Sequence, residues 1–480
     1  MNRRMVIYVL SWVLRIEAIL MIFPIITAVI YKERSGISFA VIAISIALVG
    51  TLMSLIKHPN MKLYTREGFV SVALSWIFLS FFGCLPFYVS GEIPSLVDAL
   101  FETVSGFTTT GASILSDVES LSHCMLLWRS FTHWIGGMGF LVFVLAILPM
   151  AGAGDIHIMR AESPGPSVGK LVPKVRSTAK ILYGIYIVLT AIQIVLLICG
   201  GMSIFDSLCI SFGTAGTGGF AIKNTGLADY TMYQQAVTTI FMIIFGVNFN
   251  VYFLFYAGKP KDALKCEEAR TYLIIILASA LLIACNVRGY FDSFFESFHH
   301  SAFQVASIIT TTGFSTVDFD LWPSFSKAIL VLLMFIGACA GSTGGGIKVS
   351  RILVLCKTVF KEMASMIHPN SVKIIKIEGK PIEHNVLRSI NTYLATFIMI
   401  FVASLLIVCF DDFDLVTTFT AIAATFNNIG PGLAKVGPTC NFGDFSILSK
   451  LVMIFDMLAG RLELFPIILL FSPRTWRKQL

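Results

Sequence analysis

One short pattern restricts what this chain can fold into. A hydroxyl- or amide-bearing run that ends in glycine occurs four times, each time after a short semi-apolar segment and before a long apolar one. The runs are Thr108-Thr109-Thr110-Gly111-Ala112, Gly216-Thr217-Gly218-Gly219-Phe220, Thr310-Thr311-Thr312-Gly313-Phe314 and Asn427-Asn428-Ile429-Gly430-Pro431. Their glycines lie 219−111 = 108, 313−219 = 94 and 430−313 = 117 residues apart, the spacing of one structural unit copied four times. A run of carbonyls can face a common axis only where the backbone takes unusual dihedrals, and glycine takes them at no steric cost. Four such loops around one axis would replace the hydration shell of a cation with rings of carbonyl oxygens. A single Thr-Gly turn carries little information, because such turns are common in loops. Four of them in one apolar frame predict a single site built by all four.

The frame is that of a membrane protein. With 56% hydrophobic and 13% charged residues and a mean hydropathy of +0.83, the composition excludes a soluble globular chain. The net charge of +7 does not point to nucleic acid, because the basic residues sit in short loops between apolar spans and not in one patch. Ten cysteines are scattered with no CxxC pair and no Cys/His cluster, so neither a zinc site nor a disulfide framework is indicated. No cluster of His, Cys or acids within the spans suggests an enzyme.

Along the chain, residues 1–30 read as a retained transmembrane helix. Their apolar run is too long for a signal peptide, is interrupted by Arg15 and Glu17, and lacks a small-x-small cleavage site. A second span covers about 39–56. Four units follow, at 61–176, 177–262, 263–380 and 381–480, after an N-terminal pair of helices in 1–60. Each reads as outer helix, short re-entrant helix, filter loop and inner helix. The re-entrant segments, near 95–107, 203–214, 292–309 and 414–426, are too short to cross a ~30 Å hydrocarbon core at ~1.5 Å per residue. Their backbone must be sheltered by protein or face water. Asp98 and Asp206 both lie thirteen residues before their glycines (111−98 = 13, 219−206 = 13), and acids at such positions read as helix N-caps or as site residues.

Loop charge orients the chain. The segment 91–122 contains Glu92, Asp98, Glu102, Asp117 and Glu119 and no Lys or Arg, and acidic outer loops raise the cation concentration at a mouth. On the opposite side lie Lys57, Lys62, Arg66, Arg160, Lys170, Lys174, Arg176, Lys180, Lys259, Lys261, Lys265, Arg270, Arg351, Lys357, Lys361, Lys373, Lys376, Arg474, Arg477 and Lys478. The positive-inside rule makes that side cytoplasmic, with both termini inside and the four loops facing out. A connector carrying Pro164, Gly165, Pro166 and Pro173 reads as a surface-lying cytoplasmic segment.

The TTTGA, TTTGF, GTGGF and NNIGPG loops, with the glycine-rich run Gly337-Ala338-Cys339-Ala340-Gly341-Ser342-Thr343-Gly344-Gly345-Gly346-Ile347-Lys348, resemble the membrane subunit of the bacterial Trk potassium-uptake system (TrkH type), within the wider Trk/Ktr/HKT superfamily. The resemblance covers nearly the whole chain, with five motifs in the expected order. It implies an all-α polytopic inner-membrane protein with four pseudo-repeats around one pore, plus two extra N-terminal helices. K+ would be the transported ion, held at Thr109, Thr110, Gly111, Thr217, Gly218, Gly219, Thr311, Thr312, Gly313, Asn428, Ile429 and Gly430. Backbone carbonyls would ligate the ion, with threonine hydroxyls stiffening the loops or adding oxygen at the inner end. Asn-Asn-Ile in the fourth loop implies a filter without fourfold symmetry and weaker discrimination among K+, Rb+ and Na+. The resemblance further implies a homodimer and a cytosolic nucleotide-binding regulatory Trk subunit, the membrane chain itself binding no nucleotide.

The third inner helix stands apart. An apolar run from Ala328 to Ile336 gives way to the glycine-rich run before becoming apolar again from Ile352. Each glycine costs a helix about 1 kcal/mol relative to Ala, so the helix must break within the membrane, which is tolerated only where it lines an aqueous cavity. An intramembrane loop able to block the pore is the expectation, with Gly341, Gly344, Gly345, Gly346, Lys348 and Arg461 as gate residues. In the family the arginine matching Arg461 sits by that loop. The alternatives for Arg461 are pairing with Asp456 or Glu463, or snorkelling to the cytoplasm. A phosphate-binding reading of Gly341-x4-Gly346 fails because Ile347 stands where Lys is needed and no strand precedes the run. A secondary transporter coupling Na+ or H+ to a solute is the alternative function, but its inverted repeats contrast with four units running in one sense.

Overall fold

The computed structural model describes residues 3–55, 65–139, 175–368 and 374–476. The expectations for the connector up to residue 174, and for Lys57, Lys62, Arg160, Lys170, Lys174, Lys373, Arg477 and Lys478, lie outside the described residues. Among the described residues the chain is helical apart from two short antiparallel strands, Lys376–Ile377 and Lys380–Pro381. Six stretches of the described residues are long and apolar enough to cross a membrane: Arg3–Tyr31, Gly36–Ser54, Arg66–Ser90, Ala179–Cys199, Glu267–Asn286 and His384–Asp411. The first two form the expected N-terminal pair. Gly36 abuts Ala28 while Gly50 meets Arg15, Ser11 and Leu14, so the two helices run antiparallel at glycine-sized separations. The first is interrupted at Met21.

The other four long stretches are outer helices, and each is followed by a short one: Leu96–Phe107, Ile204–Gly216, Phe294–Ile309 and Leu415–Phe426. The longest of these has 16 residues, about 24 Å at 1.5 Å per residue, short of a ~30 Å core. Each is started by a side chain that satisfies an orphan amide of its first turn. Ser95 accepts from the Asp98 amide, Ser203 from Asp206, Ser293 from Glu296 and Asp414 from Thr417. Asp98 and Asp206 are therefore not caps: they occupy the third helical position, where Asp98 pairs with Lys450 at 2.7 Å and Asp206 accepts from the Tyr230 hydroxyl at 3.1 Å. At Asp414 the side chain and amide of Thr417 hold the carboxylate below its ordinary range.

The inner helices, His123–Gly137, Met232–Gly246, Ser324–Ile336 and Ile447–Arg461, stop at the level where the short helices end. Glycines make this possible. A side chain on Gly136 would overlap the Phe107 carbonyl, one on Gly460 the Phe426 carbonyl, and one on Gly246 would collide with the Tyr272 hydroxyl and the Thr310 methyl. The third inner helix breaks as expected, resuming at Val349–Ile367. The second breaks as well, bending by 88° between Met232–Gly246 and Phe249–Tyr256, although only the third is marked by a glycine run.

A buried ion pair fastens the first short helix to the first inner helix. Arg129 meets Glu102 at 2.7 Å, with side chains 2% and 0% exposed. Glu102 also accepts from the Ser113 hydroxyl at 3.0 Å and the Ile114 amide at 3.0 Å, while Arg129 donates to the Ala221 carbonyl at 3.1 Å and lies 4.0 Å from the Phe220 ring. The pair thus ties together the segments leaving the first two glycine loops. This corrects the reading of Glu102 as an outer-loop acid. Glu92 is likewise engaged by Ser35 and Ser122, leaving Asp117 and Glu119 as exposed acids of that segment. Arg129→Met strands a buried carboxylate and is expected to destabilise by about 3–5 kcal/mol. In detergent thermal melts, the double variant Arg129→Met with Glu102→Leu should recover most of that loss.

Candidate functional site

The short helices end in one way four times. The Thr110 amide donates to Ser105 and the Thr109 amide to Gly106, at 2.8 and 3.1 Å; Gly218 to Gly213 and Thr217 to Thr214, at 2.8 and 3.0 Å; Thr312 to Ser307 and Thr311 to Ile308, at 2.8 and 3.1 Å; Ile429 to Ala424 and Asn428 to Thr425, at 2.8 and 3.3 Å. This is the Schellman pattern, in which the residue after the helix is left-handed and usually glycine. Here that residue is Thr109 (φ 56), Thr217 (φ 55), Thr311 (φ 57) or Asn428 (φ 56). A left-handed residue with a Cβ costs about 1–2 kcal/mol, and β-branched threonine is an outlier there. Two residues later glycine is again at positive φ: 79 at Gly111, 72 at Gly219, 92 at Gly313 and 101 at Gly430. The residue between is not at positive φ. Alternating the sign of φ turns every second peptide plane over, so that successive carbonyls face the same way.

The four loops close into a ring. A side-chain carbon on Gly111 would fall inside the Gly218 carbonyl oxygen, one on Gly219 inside that of Thr312, and one on Gly313 inside that of Ile429; on Gly430 it would lie 2.9 Å from the Thr110 carbonyl oxygen. Each glycine therefore touches the carbonyl of the middle residue of the next loop, and the fourth returns to the first. Gly111, Gly219, Gly313 and Gly430 line one cavity together with Arg129 and Lys223. Eight of the twelve residues expected at the site make these ring contacts, and the other four, Thr109, Thr217, Thr311 and Asn428, are the left-handed residues that lead into them.

The hydroxyls brace the loops. Thr108 and Thr110 hydroxyls pair at 2.8 Å, those of Thr310 and Thr312 at 2.7 Å, and Thr110 accepts from the Asn428 amide side chain at 2.9 Å. Asn428 also donates to the Met457 carbonyl at 2.9 Å, which explains a carboxamide at the fourth corner: it joins its loop to the first loop and to the last inner helix. His133 links first and second loops, Nδ1 meeting the Gly106 carbonyl at 2.7 Å and Nε2 the Phe220 amide at 3.2 Å. The Phe220 N–H can only donate, so Nε2 accepts and the proton sits on Nδ1 of a neutral ring.

Below the ring lies the glycine-rich segment. Gly345 donates its amide to the Thr311 hydroxyl at 2.6 Å. A side chain on Gly344 would sit 2.8 Å from the Thr310 carbonyl oxygen, and one on Gly345 would overlap that of Asn427. Gly346 (φ 77) packs on Gly337 (φ 72), closing the neck of the segment, and Gly341 (φ 70) lies against the Asn248 side chain. Lys348, 2% exposed, turns its ammonium back onto the Gly344 carbonyl inside the segment. Arg461 reaches across to donate to the Thr343 carbonyl at 2.8 Å, the Thr109 hydroxyl at 3.2 Å, and the carbonyls of Gly136 and Gly137 at 2.5 and 2.7 Å. One guanidinium thus joins the glycine-rich segment, the first loop and the end of the first inner helix. Glu463 is engaged by Arg351 at 2.6 Å, and Asp456 accepts from Ser404 at 2.7 Å.

Sequence reasoning passed over the supports Arg129 and His133. The signal was present, since Arg129 and His133 lie one turn apart in the mostly apolar helix His123–Gly137, and ionisable residues at membrane depth mark function. A matched pair tests the ring. Gly219 and Gly258 both have φ 72, but nothing lies within 4 Å of a side chain on Gly258. Gly258→Ala should lower stability by about 1–2 kcal/mol. Gly219→Ala should add an overpacking cost of about 1–3 kcal/mol, and equal melting shifts would contradict the closure described.

Three comparisons place the chain among known proteins. The family model described as "TrkH: Cation transport protein" matches residues 36–478. The Trk system potassium uptake protein TrkH of Vibrio parahaemolyticus is 34% identical over 99% of this chain and 100% of its own length, and that of Escherichia coli K12 is 36% identical over 95% and 96%. The crystal structure of the potassium transporter TrkH from Vibrio parahaemolyticus superposes with a TM-score of 0.90 at 32% identity, covering 99% of this chain and 100% of that one. The chain belongs to the TrkH family of cation transport proteins.

Proposed function

We propose that the ring of loop carbonyls is a potassium filter and that the glycine-rich segment with Arg461 is the gate beneath it. Potassium uptake as a membrane subunit of a Trk system, without enzymatic activity, follows from membership of the family. The pore mechanism is the proposal. The observation that carries it is the closed ring in which four short helices aim their carboxyl ends at one cavity with carbonyls facing the same way. The carboxyl end of a helix carries a partial negative charge of about half an elementary unit, which favours a cation. Rings of carbonyls replace its hydration shell. The twelve loop residues from Thr109 to Gly430 would hold the ion, and inward flux would be driven by a membrane potential worth ~2.3 kcal/mol per charge per 100 mV.

The division into four copied units at 61–176, 177–262, 263–380 and 381–480 belongs to this proposal, supported by the fourfold recurrence of cap, short helix, Schellman end and glycine. So does the orientation: with loops facing out, Lys259, Lys261, Lys265, Arg270, Lys357, Lys361 and Arg474 are cytoplasmic together with both termini. A homodimer and a cytosolic nucleotide-binding regulatory subunit complete the reading, the regulator docking on those basic loops. Nucleotide would bind there and not on this chain.

Gly111→Ser puts a hydroxymethyl group against the Gly218 carbonyl and should open one corner of the ring. The expected result in proteoliposomes is a reduced K+/Na+ permeability ratio. A ratio equal to the parent's would remove the first loop from the filter.

The gate has its own test. Shortening 341–346, or Arg461→Ala, removes material or a fixed positive charge from beneath the ring. Each ~1.4 kcal/mol taken off a rate-limiting barrier raises flux about tenfold. Partner-free Rb+ uptake should therefore rise in both variants at matched protein density. Unchanged uptake in both, with normal gel filtration, would reduce these residues to structural parts. The same assay rejects a solute-coupled transporter if cation flux persists without any co-substrate.

A further inference from the structure

The glycine-rich segment is held from outside the ring by one carboxylate. Glu268 begins the third outer helix and is 6% exposed. Its Oε1 accepts from the Ala340 amide at 2.6 Å and from the Ser350 amide at 3.1 Å. Those two residues bracket the stretch that packs under the loops, so a single oxygen pins both its entry and its exit. Oε2 accepts from the Asn248 side chain at 3.5 Å, and Asn248 sits in the break of the second inner helix. Two backbone bonds join the same pieces, the Cys339 amide to Gly246 and the Phe249 amide to Gly341, both at 3.1 Å. The broken second and third inner helices thus form one unit that Glu268 anchors to the third outer helix.

We propose that Glu268 is a positioning residue of the gate, fixing the closed position of the glycine-rich segment by holding its two ends together. This rests on the gate reading given above. The physics is that of a closed loop. Residues 340–350 contain four glycines, each with more backbone freedom to lose than any other residue, so the ordered conformation needs its ends fixed. Without an acceptor, two amides at membrane depth are left unsatisfied. The segment then trades its closed position for others in which those amides find partners, and passage beneath the ring eases.

Reach and charge can be separated at this position. Glu268→Gln keeps the oxygen that accepts from both amides and loses the charge. Glu268→Asp keeps the charge and falls short by one carbon–carbon bond, about 1.5 Å. Glu268→Met keeps the volume and loses the acceptor. In partner-free proteoliposomes, Rb+ uptake should rise about tenfold in the Asp and Met variants and stay within about twofold of the parent in Gln, a tenfold change being ~1.4 kcal/mol of barrier. The Rb+ concentration for half-maximal uptake should be unchanged in all three, since the ring is intact, whereas general loosening would move it. The Met variant carries the test if Asp does not fold. A raised flux in Gln with parental flux in Asp and Met would overturn the proposal, making Glu268 a counter-charge to buried Lys348. Parental flux in Asp and Met while Arg461→Ala is raised would overturn it and leave the gate reading standing. If Arg461→Ala is inert as well, both fail.

Discussion

The constraint on which the rest of this structure depends is the carboxyl end of a helix that stops inside a bilayer. The last carbonyls of any helix lack intrahelical partners, and in hydrocarbon there is no water to take their place. This chain has four such ends at one level. The Schellman bonds absorb some of the orphan carbonyls, and the loops that follow present others to a shared cavity. Left-handed threonines are the cost of turning within three residues, and their hydroxyls recover part of it: Thr109 accepts from Arg461, Thr311 from the Gly345 amide, and Thr217 donates to the Gly216 carbonyl. Strain of this kind persists only where surroundings over-determine it.

Charge at membrane depth follows the same logic. Glu102, Arg129, Glu268 and Lys348 are each buried, and each is spent on backbone groups that an irregular segment leaves open. Arg461 does so most economically, satisfying the carbonyls of Gly136, Gly137 and Thr343 where an interrupted helix and a loop converge. In that position its charge faces the underside of the ring proposed above as the cation site. The structural and the electrostatic roles are one arrangement.

How much of this was legible beforehand varies with the length scale of the cause. Glycine at 111, 219, 313 and 430 is a local necessity, because a side chain there would meet the next loop, and so the recurrence pointed to the ring. Five glycines between 337 and 346 likewise announced a break. The bend at Gly246-Val247-Asn248 carries a single glycine and no glycine run, and what requires that glycine is remote in sequence: the Tyr272 hydroxyl and the Thr310 methyl leave no room for a side chain at 246. Asp98 and Asp206 were read as possible caps because an acid in the first turn of a helix resembles one placed just before it, and only the backbone shows that Ser95 and Ser203 hold that position. Glu102 was grouped with exposed acids because its partner Arg129 lies twenty-seven residues away, beyond any local pattern.

The ring has a direction, and all four corners belong to one polypeptide. Gly111 leans on the second loop, Gly219 on the third, Gly313 on the fourth and Gly430 back on the first. In a pore assembled from identical subunits, one codon change alters every corner together, so variation arrives only in steps of four. Here a codon alters one corner and presses on one neighbour, in a fixed rotational order. With the ring as the proposed filter, a substitution can alter ion preference one corner at a time, and the Asn-Asn-Ile corner is the one tied by a carboxamide to Thr110 and Met457.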